Sequence, residues 1–389
     1  LTATPRKRAS PRWLVMANVN PNIIKNIVFA IMKISAIICE FNPIHKGHKR
    51  LIDLGRTTSD YVVCVMSGNF TQRGLPACAD KFARARHAIL AGADLVVELP
   101  TVYATSSAEN FAVGGVKLAE LLHADTLLFG SECGDITTLR ITAELLSRPQ
   151  TNEQIREEVA KGVSYPKAVA NAIGLPILDT PNNVLALEYL KALARLGSHI
   201  EPVTLKRTDN YNAAHPKGRY ASSTAIRANP EIAEKYSFDY VVPDIDLGVE
   251  KAFCEFVPHA MSLMSLQWMQ QIDGMTEGIE NRVAAADKSL GYEGLMEQVK
   301  TKRYTRAKLQ RLALASILGI TKRHMAQAVQ GIPPVKVLAV SKRATQLLQL
   351  ENPLPDPINI LADNLYYSFS KAKPPMKLQV IEQPTTKRK

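Results

Sequence analysis

The sequence is poor in several features that would place it in a protein class at once. Its five cysteines are spread over 389 residues without a Cys-x-x-Cys pair. This spacing argues against a disulfide framework and a zinc site, and it favours a reducing, cytoplasmic compartment. No apolar run reaches the ~18 residues that a membrane-spanning helix needs, so we expect no membrane partner. Aromatic residues make up only 6% of the chain, which leaves few side chains that could stack on a base.

Negative charge is also scarce, with 36 Asp and Glu against 48 Lys and Arg and a net charge of +12. Residues 1–31 carry +5, residues 32–290 carry −4 and residues 291–389 carry +11, which together give that total. A near-neutral body with a basic C-terminal region is typical of a catalytic domain joined to a module that binds a polyanion. The alternative, a basic soluble protein without a nucleic-acid partner, is left open by net charge alone.

The first 31 residues have an unusual composition. They contain no acidic residue and five basic ones: Arg6, Lys7, Arg8, Arg12 and Lys25. Three explanations are open: a transit peptide, a polyanion-binding arm, or translated sequence upstream of a start at Met32. A strand pattern begins directly after Met32, which favours the third explanation. We therefore treat residues 1–31 as a non-native or targeting extension.

Short apolar runs alternate with helical patterns in the part of the chain that follows. The runs at residues 33–39, 61–66, 94–99 and 126–129 have the length and composition of buried strands. Such alternation predicts an α/β fold, a doubly wound, Rossmann-like parallel sheet covered by helices on both faces. Ligands bind outside the carboxyl ends of the strands in such sheets, so the loops there are the places to search for chemistry.

The C-terminal part has a different pattern. Beyond the acidic string Pro243-Asp244-Ile245-Asp246, residues 250–325 lack strand alternation and have helical periodicity. One strand-like stretch follows at residues 335–340. We predict a boundary at this string, with a catalytic domain at residues 32–243 and a basic, mainly helical domain at residues 244–389.

The first strand is followed by a string that contains a His-x-Gly-His motif. His45 and His48 stand three residues apart at the start of a predicted helix, so they share one face of its first turn. Free amide groups and the helix dipole favour an anion there, and two imidazoles can donate hydrogen bonds to phosphate oxygens. Gly47 between them permits close approach of a flat ligand. The alternative is two surface histidines placed by chance. A metal-binding pair is disfavoured, because the sequence offers no third ligand nearby.

A second motif is Ala221-Ser222-Ser223-Thr224-Ala225-Ile226-Arg227. Its hydroxyl and amide groups can hold phosphate oxygens at a helix start, and Arg227 one turn later can bind the same anion. Alone, such a string is most often an ordinary helix cap. Together with the two histidines it forms a specific combination.

That combination resembles the HxGH nucleotidyltransferase superfamily, and in particular the bacterial tRNA(Met) cytidine acetate ligase family. The similarity runs in order through residues 32–345. It rests on six strings, at residues 40–48, 66–74, 94–100, 129–132, 181–183 and 302–311.

The resemblance implies a two-step reaction. Acetate attacks the α-phosphate of ATP to give acetyl-adenylate and pyrophosphate, and the acetyl group passes to N4 of the wobble cytidine of elongator tRNA(Met). ATP would arrive with Mg²⁺, and the protein itself would provide no metal site. The oligomeric state is left open.

The resemblance also implies which residues form the site. His45 and His48 would stabilise the transition state at the α-phosphate. The nucleotide would be bound by residues 38–51, by three later positions and by the second motif, that is, by Ile38, Cys39, Glu40, Phe41, Asn42, Pro43, Ile44, Lys46, Gly47, Leu51, Gly130, Asn182 or Asn183, Arg207, Ser223 and Arg227.

Several other residues have two interpretations each. Gln72, Arg73 and Lys81 could orient acetate or hold the triphosphate, and Glu132 and Asp135 could place Mg²⁺ or bind ribose; the alternative is ordinary loop and turn roles. A predicted basic helix face could hold tRNA phosphates or be merely solvated. It comprises Lys302, Arg303, Arg306, Lys308 and Arg311. The candidates for stacking on an extruded base are Tyr304, Tyr366, Tyr367 and Phe369.

Two other functions stay open at this point. An adenylyltransferase or cytidylyltransferase acting on a small metabolite would use the same two motifs, although it would not require the basic C-terminal region. A noncatalytic tRNA-binding protein with a retained nucleotide site is a third hypothesis, against which the intact histidines argue.

Overall fold

The structure is a computed structural model that describes residues 32–207, 218–352, 354–375 and 377–384. The extension hypothesis for residues 1–31 falls outside the described residues.

Seven strands of the described chain form one sheet in the order β5-β4-β1-β2-β3-β6-β7. The first five are mutually parallel, which confirms the predicted doubly wound α/β fold. Their bounds are β1 Ile34–Cys39, β2 Tyr61–Ser67, β3 Leu95–Leu99, β4 Thr126–Ser131 and β5 Glu201–Lys206. Every residue of β1 and β3 is buried, because helices cover both faces of the sheet.

The helices of the first part of the chain alternate with these strands, as the apolar pattern predicts. They are α1 Lys46–Thr58, α2 Lys81–Leu90, α3 Thr101–Ala104, α4 Ala108–Leu121, α5 Ile136–Ser147, α6 Pro149–Ala160, α7 Tyr165–Ile173, α8 Pro181–Leu196, α9 Ser223–Ala228 and α10 Ala233–Tyr236. Side-chain caps fix several starts: the Asp80 carboxylate, for example, accepts hydrogen bonds from the backbone N–H groups of Phe82 and Ala83.

The C-terminal part is mainly helical, as expected. Its helices are α11 Gly248–Ser262, α12 Leu266–Gln271, α13 Ile279–Ala285, α14 Gly291–Val299, α15 Arg306–Leu318, α16 Lys322–Gln330 and α17 Pro357–Phe369. In the described part of the chain, no helix has the length and apolarity to cross a bilayer.

Two C-terminal strands extend the sheet. β6 (Val337–Ser341) pairs antiparallel with β3, and β7 (Gln379–Ile381) pairs parallel with β6. The strand-like pattern at 335–340 anticipates β6, whereas β7, an edge strand of three residues, is not predicted from the sequence. The division at residue 243 stays a prediction, but the sheet is completed by residues from beyond it.

The strand order places a functional site. The chain proceeds from β1 to β2 and β3 in one direction and then returns to β4 and β5 on the other side of β1. Helices on the two faces therefore diverge between β1 and β4, which leaves a crevice at the carboxyl ends of these strands.

Candidate active site

A cavity of about 460 Å³ occupies this crevice. Its lining comes from β1 and the chain that follows it, from the loop after β2, from α4, from the ends of β4 and β5, from the starts of α8 and α9, and from one residue of α15. The volume is within the range of small-molecule sites, and a nucleotide fits such a space.

His45 and His48 line this cavity as a stacked pair, with ring centroids 3.7 Å apart. Gly47 donates its backbone N–H to Nδ1 of His45 at 3.0 Å, and His45 donates its own backbone N–H to Nδ1 of His48 at 3.3 Å. These bonds form a capping box at the start of α1. Because each Nδ1 accepts, each neutral ring carries its proton on Nε2, and both histidines are hydrogen-bond donors.

The charge state of His48 agrees with that role. Burial, and then electrostatic repulsion of the protonated form by the neighbouring His45 and Arg207, lower the pKa of His48 well below its usual 6.5. The ring is therefore neutral at physiological pH. A neutral imidazole can still donate from Nε2 as negative charge develops on a ligand, without the desolvation cost of a buried cation.

This depressed pKa predicts a pH dependence of stability. Below pH 6.5 the unfolded chain binds a proton at His48 that the folded chain does not, so the free energy of unfolding falls as pH decreases through that region. His48→Asn keeps an acceptor for the His45 N–H but does not titrate. Measured by urea unfolding, the free energy of unfolding should therefore fall less between about pH 7.5 and about pH 5 in the variant than in the original protein. Equal losses in both would contradict this assignment.

Gly47 is required by the histidine pair itself. A Cβ at this position would lie 2.8 Å from Cε1 and 2.9 Å from Nδ1 of the His45 ring. The glycine therefore makes room for that ring at the start of α1, which is a different reason from the close ligand approach expected from sequence.

The second motif braces the loop that carries the histidines. The Ser223 hydroxyl donates to the carbonyl of Pro43 at 2.9 Å, and the Arg227 guanidinium donates to the carbonyl of Asn42. Both side chains also line the cavity. They are thus positioned to contact a ligand while fixing the backbone of residues 42–43.

A buried arginine that the sequence analysis missed joins the strand ends. Arg84 of α2 is fully buried and donates to the carbonyls of Glu40, Gly68 and Ala79. The Glu40 carboxylate in turn accepts the backbone N–H of Gln72 at 2.6 Å. Arg84 has no recognisable motif, since its three acceptors are backbone atoms that only the fold brings together.

The cavity is strongly cationic. Its lining includes one carboxylate, that of Glu40, and six basic side chains: Arg50, Arg73, Lys206, Arg207, Arg227 and Arg311. Such a concentration of positive charge favours a polyanion such as a triphosphate. Apolar walls complete the cavity and suit a nucleobase; they are formed by Ile38, Leu51, Phe111, Phe129, Val184, Leu185, Leu205 and Tyr220.

Arg311 is the contribution of the C-terminal region to this cavity. It lies on α15, donates to the carbonyl of Gln72 at 3.4 Å, and its pKa is lowered by burial. The sequence places Arg311 on a basic helix face that either holds tRNA phosphates or is solvated, but in the structure its side chain lines the cavity instead. Gln72 and Arg73, by contrast, line the cavity, as a role in orienting acetate or holding the triphosphate requires.

Most of the predicted nucleotide-binding residues line the cavity: Ile38, Cys39, Glu40, Phe41, Asn42, Gly47, Leu51, Gly130, Asn182, Arg207, Ser223 and Arg227. Four others do not. Pro43 and Ile44 are buried behind the loop, Lys46 donates to the carbonyl of Lys235, and Asn183 accepts the backbone N–H of Cys133 at 3.0 Å. Of the two asparagines, Asn182 thus lines the cavity, whereas Asn183 holds the backbone of Cys133.

The acidic candidates have structural roles. Glu132 accepts from the Asn182 side chain at 2.6 Å and from the Asn183 backbone at 2.9 Å, which fixes the start of α8. Asp135 caps α5, and hydrogen bonds from Thr138 and Thr137 lower its pKa. Among the described residues, no group of three or more His, Cys, Asp or Glu side chains could hold a metal ion.

Three further expectations are corrected. Lys81 is fully buried in ion pairs with Glu98 and Asp363 and does not line the cavity. Tyr304 and Tyr366 are buried, so neither can stack on an extruded base.

Four further candidates are also engaged within the protein. Phe369 is half-buried against Phe253 and Phe256, and Tyr367 packs on its neighbour Tyr366. On the predicted basic face, Arg306 pairs with Glu293 at 2.5 Å and Arg303 pairs with Glu277 at 3.0 Å.

The chain matches the family described as HIGH Nucleotidyl Transferase over residues 32–373. A tRNA(Met) cytidine acetate ligase of Acetivibrio thermocellus is 37% identical over 352 residues, which are 82% of this chain and 85% of the relative. The protein of the same name from Staphylococcus aureus strain MRSA252 is 33% identical, with 88% and 93% covered. The crystal structure of Thermotoga maritima TmcAL bound with alpha-thio ATP has a TM-score of 0.77 and 28% identity, covering 87% of this chain and 95% of that one.

Proposed function

Because the chain belongs to the tRNA(Met) cytidine acetate ligase family within the HIGH nucleotidyl transferases, we propose that it uses ATP to join acetate to a cytidine of tRNA(Met). The observation that carries this proposal is the stacked His45–His48 pair, with both Nδ1 atoms bound to backbone N–H groups, in a cationic cavity of nucleotide size. The identity of the substrates, acetate and a cytidine of tRNA(Met), is taken from the name of the relatives.

In the first step, a carboxylate oxygen of acetate attacks the α-phosphate of ATP, and the bond to pyrophosphate breaks. Negative charge grows on the non-bridging oxygens, and His45 and His48 donate to them from Nε2. The arginines of the cavity hold the β- and γ-phosphates, and the apolar walls hold the adenine. This step requires no protein nucleophile, because alignment of acetate with the phosphorus atom lowers the barrier.

Magnesium enters this proposal with the nucleotide. The described residues provide no cluster of ligands for it, so the phosphate oxygens of ATP would supply most of its coordination, and its charge would help to neutralise the departing pyrophosphate.

In the second step, N4 of the wobble cytidine of elongator tRNA(Met) attacks the acetyl carbon of acetyl-adenylate, and AMP leaves. The C-terminal region, with its large excess of basic residues, would bind the phosphates of the tRNA. This electrostatic contact makes binding weaken as salt is raised.

The test is an incubation of the protein with ATP, labelled acetate and a tRNA(Met) transcript. We expect label in the tRNA as N4-acetylcytidine, together with acetate-dependent exchange of labelled pyrophosphate into ATP. Pyrophosphate release with another acid or metabolite, and no label in the tRNA, would favour the small-molecule nucleotidyltransferase. Binding of the tRNA without any turnover would favour the noncatalytic protein.

A further inference from the structure

A second cavity, of about 430 Å³, lies beside the first. Helix α11 forms one of its sides with Glu250, Lys251 and Cys254, and the loop after β2 forms another with Leu75 and Pro76. Lys251 is exposed, so the mouth of this cavity faces solvent. None of these five residues lines the first cavity.

The two cavities share a wall. Asn42, Thr71, Arg73, Thr224 and Arg227 line both of them. A reaction between two bound molecules requires two adjoining sites that meet where the reacting atoms lie, at a separation near 3 Å. The shared wall is next to the histidine pair, since Asn42 is three residues before His45 and its carbonyl accepts from Arg227.

The loop side of the second cavity is rigidly held. The backbone N–H and the hydroxyl of Thr71 both donate to the carbonyl of Leu75, at 3.0 Å and 3.1 Å. Gly74 within this turn has φ = +75°, and a Cβ there would lie 2.5 Å from the backbone N of Arg311. The turn is therefore packed directly on α15, which presents Leu75 and Pro76 in fixed positions.

The chemistry of the second cavity suits a pyrimidine base with an exocyclic amino group. Leu75, Pro76 and Leu247 are apolar surfaces for the flat ring. The carboxylate of Glu250 has no hydrogen-bond or ion-pair partner among the described residues, so it can accept from an amino group. Carboxylates recognise cytosine through its N4 donor, and basic side chains recognise its acceptors.

The only thiol of the second cavity does not suggest a covalent relay. Burial, and then the negative charge of Glu250, raise the pKa of Cys254 to about 11. The side chain is thus a protonated, weakly nucleophilic thiol, and an acetyl-thioester on it is disfavoured. The acceptor itself has to reach the activated acetyl group.

We propose that the second cavity binds the extruded acceptor cytidine, and that Glu250 contacts its N4 amino group. This proposal rests on the proposed function. N4 forms a bond to the acetyl carbon across the shared wall, while the bond between that carbon and the phosphate oxygen breaks and AMP leaves. The proton lost by N4 passes to the Glu250 carboxylate and then to water. The cationic wall of Arg73 and Arg227 stabilises the departing phosphate.

The experiment separates the two half-reactions in Glu250→Gln. We expect acetate-dependent ATP–pyrophosphate exchange to be unchanged and acetyl transfer to tRNA(Met) to fall by about 10²-fold at saturating tRNA, the low end for loss of a general base. Glu255→Gln is the matched control, because it makes the same change at an exposed position of the same helix that lines neither cavity. Both rates should be normal in this control.

A second variant tests access to the cavity. Lys251→Trp places a large ring at the exposed mouth and should raise KM for tRNA(Met) without changing exchange. Normal transfer in both variants, or loss of exchange together with transfer, would overturn the acceptor site. Failure of the proposed function is distinguishable, because it appears in the unmodified protein as an absence of acetate-dependent exchange and of labelled tRNA.

Discussion

His48→Ala is expected to lower the rate of acetate-dependent ATP–pyrophosphate exchange by about 10³-fold, the upper end for removing one donor to a developing oxyanion. The variant loses the Nε2 donor and also the ring on which His45 stacks at 3.7 Å. Binding of tRNA(Met), measured by filter retention, should be unchanged, because this histidine lines the first cavity and lies outside the basic C-terminal region that would bind the tRNA phosphates. Exchange at the normal rate would show that the histidine pair is not the phosphate-stabilising group.

The chain offers a close control for the structural part of this change. His324 occupies the corresponding position of a second capping box at the start of α16, where its Nδ1 lies 3.3 Å from the backbone N of Thr321 and 2.9 Å from the carbonyl oxygen of Gly319. The bond from the His45 backbone N–H to His48 is also 3.3 Å long. His324 is exposed and outside both cavities. His324→Ala therefore removes a comparable cap together with a contact to the Gly319 carbonyl, and we expect normal exchange in that variant.

The features that the sequence predicts well are local ones. Apolar strands, helix starts and the His45-x-x-His48 spacing depend on residues near one another in the chain, so periodicity and cap chemistry identify them. The parallel sheet follows from their alternation, and the sheet then places the loops after β1 and β4 at one crevice. Most of the predicted nucleotide-binding residues reach that crevice for this reason.

The features that were missed depend on long-range contacts. Arg84 binds three backbone carbonyls, and Arg311 enters the cleft from a helix more than two hundred residues after β2. No periodicity or residue spacing in the sequence indicates either contact. Lys81 shows the opposite error, since a lysine at a helix start near the site resembles a phosphate ligand until its burial is known.

Lys81→Met is expected to reduce the free energy of unfolding by about 3–5 kcal/mol, the usual cost of leaving a buried charge without its partner. Lys81 is fully buried, with Nζ 2.7 Å from Glu98 and 2.6 Å from Asp363. Lys336 is the second cation of this group, 3.1 Å from Glu98. Urea unfolding at neutral pH measures the change, and a loss well below 1 kcal/mol would contradict the assignment.

Two further variants separate charge balance from simple loss of a side chain. Lys342→Met makes the same change in an exposed pair with Glu382, and solvent screening should leave stability nearly unaltered there. Lys81→Met combined with Asp363→Asn leaves one cation and one carboxylate, Lys336 with Glu98, so part of the lost stability should return. Asn69 also donates to Asp363, at 2.9 Å, and lies two residues before Thr71 of the shared wall. The buried ion group therefore holds α17 against the loop that separates the two cavities, and its loss should slow acetyl transfer in the protein that remains folded.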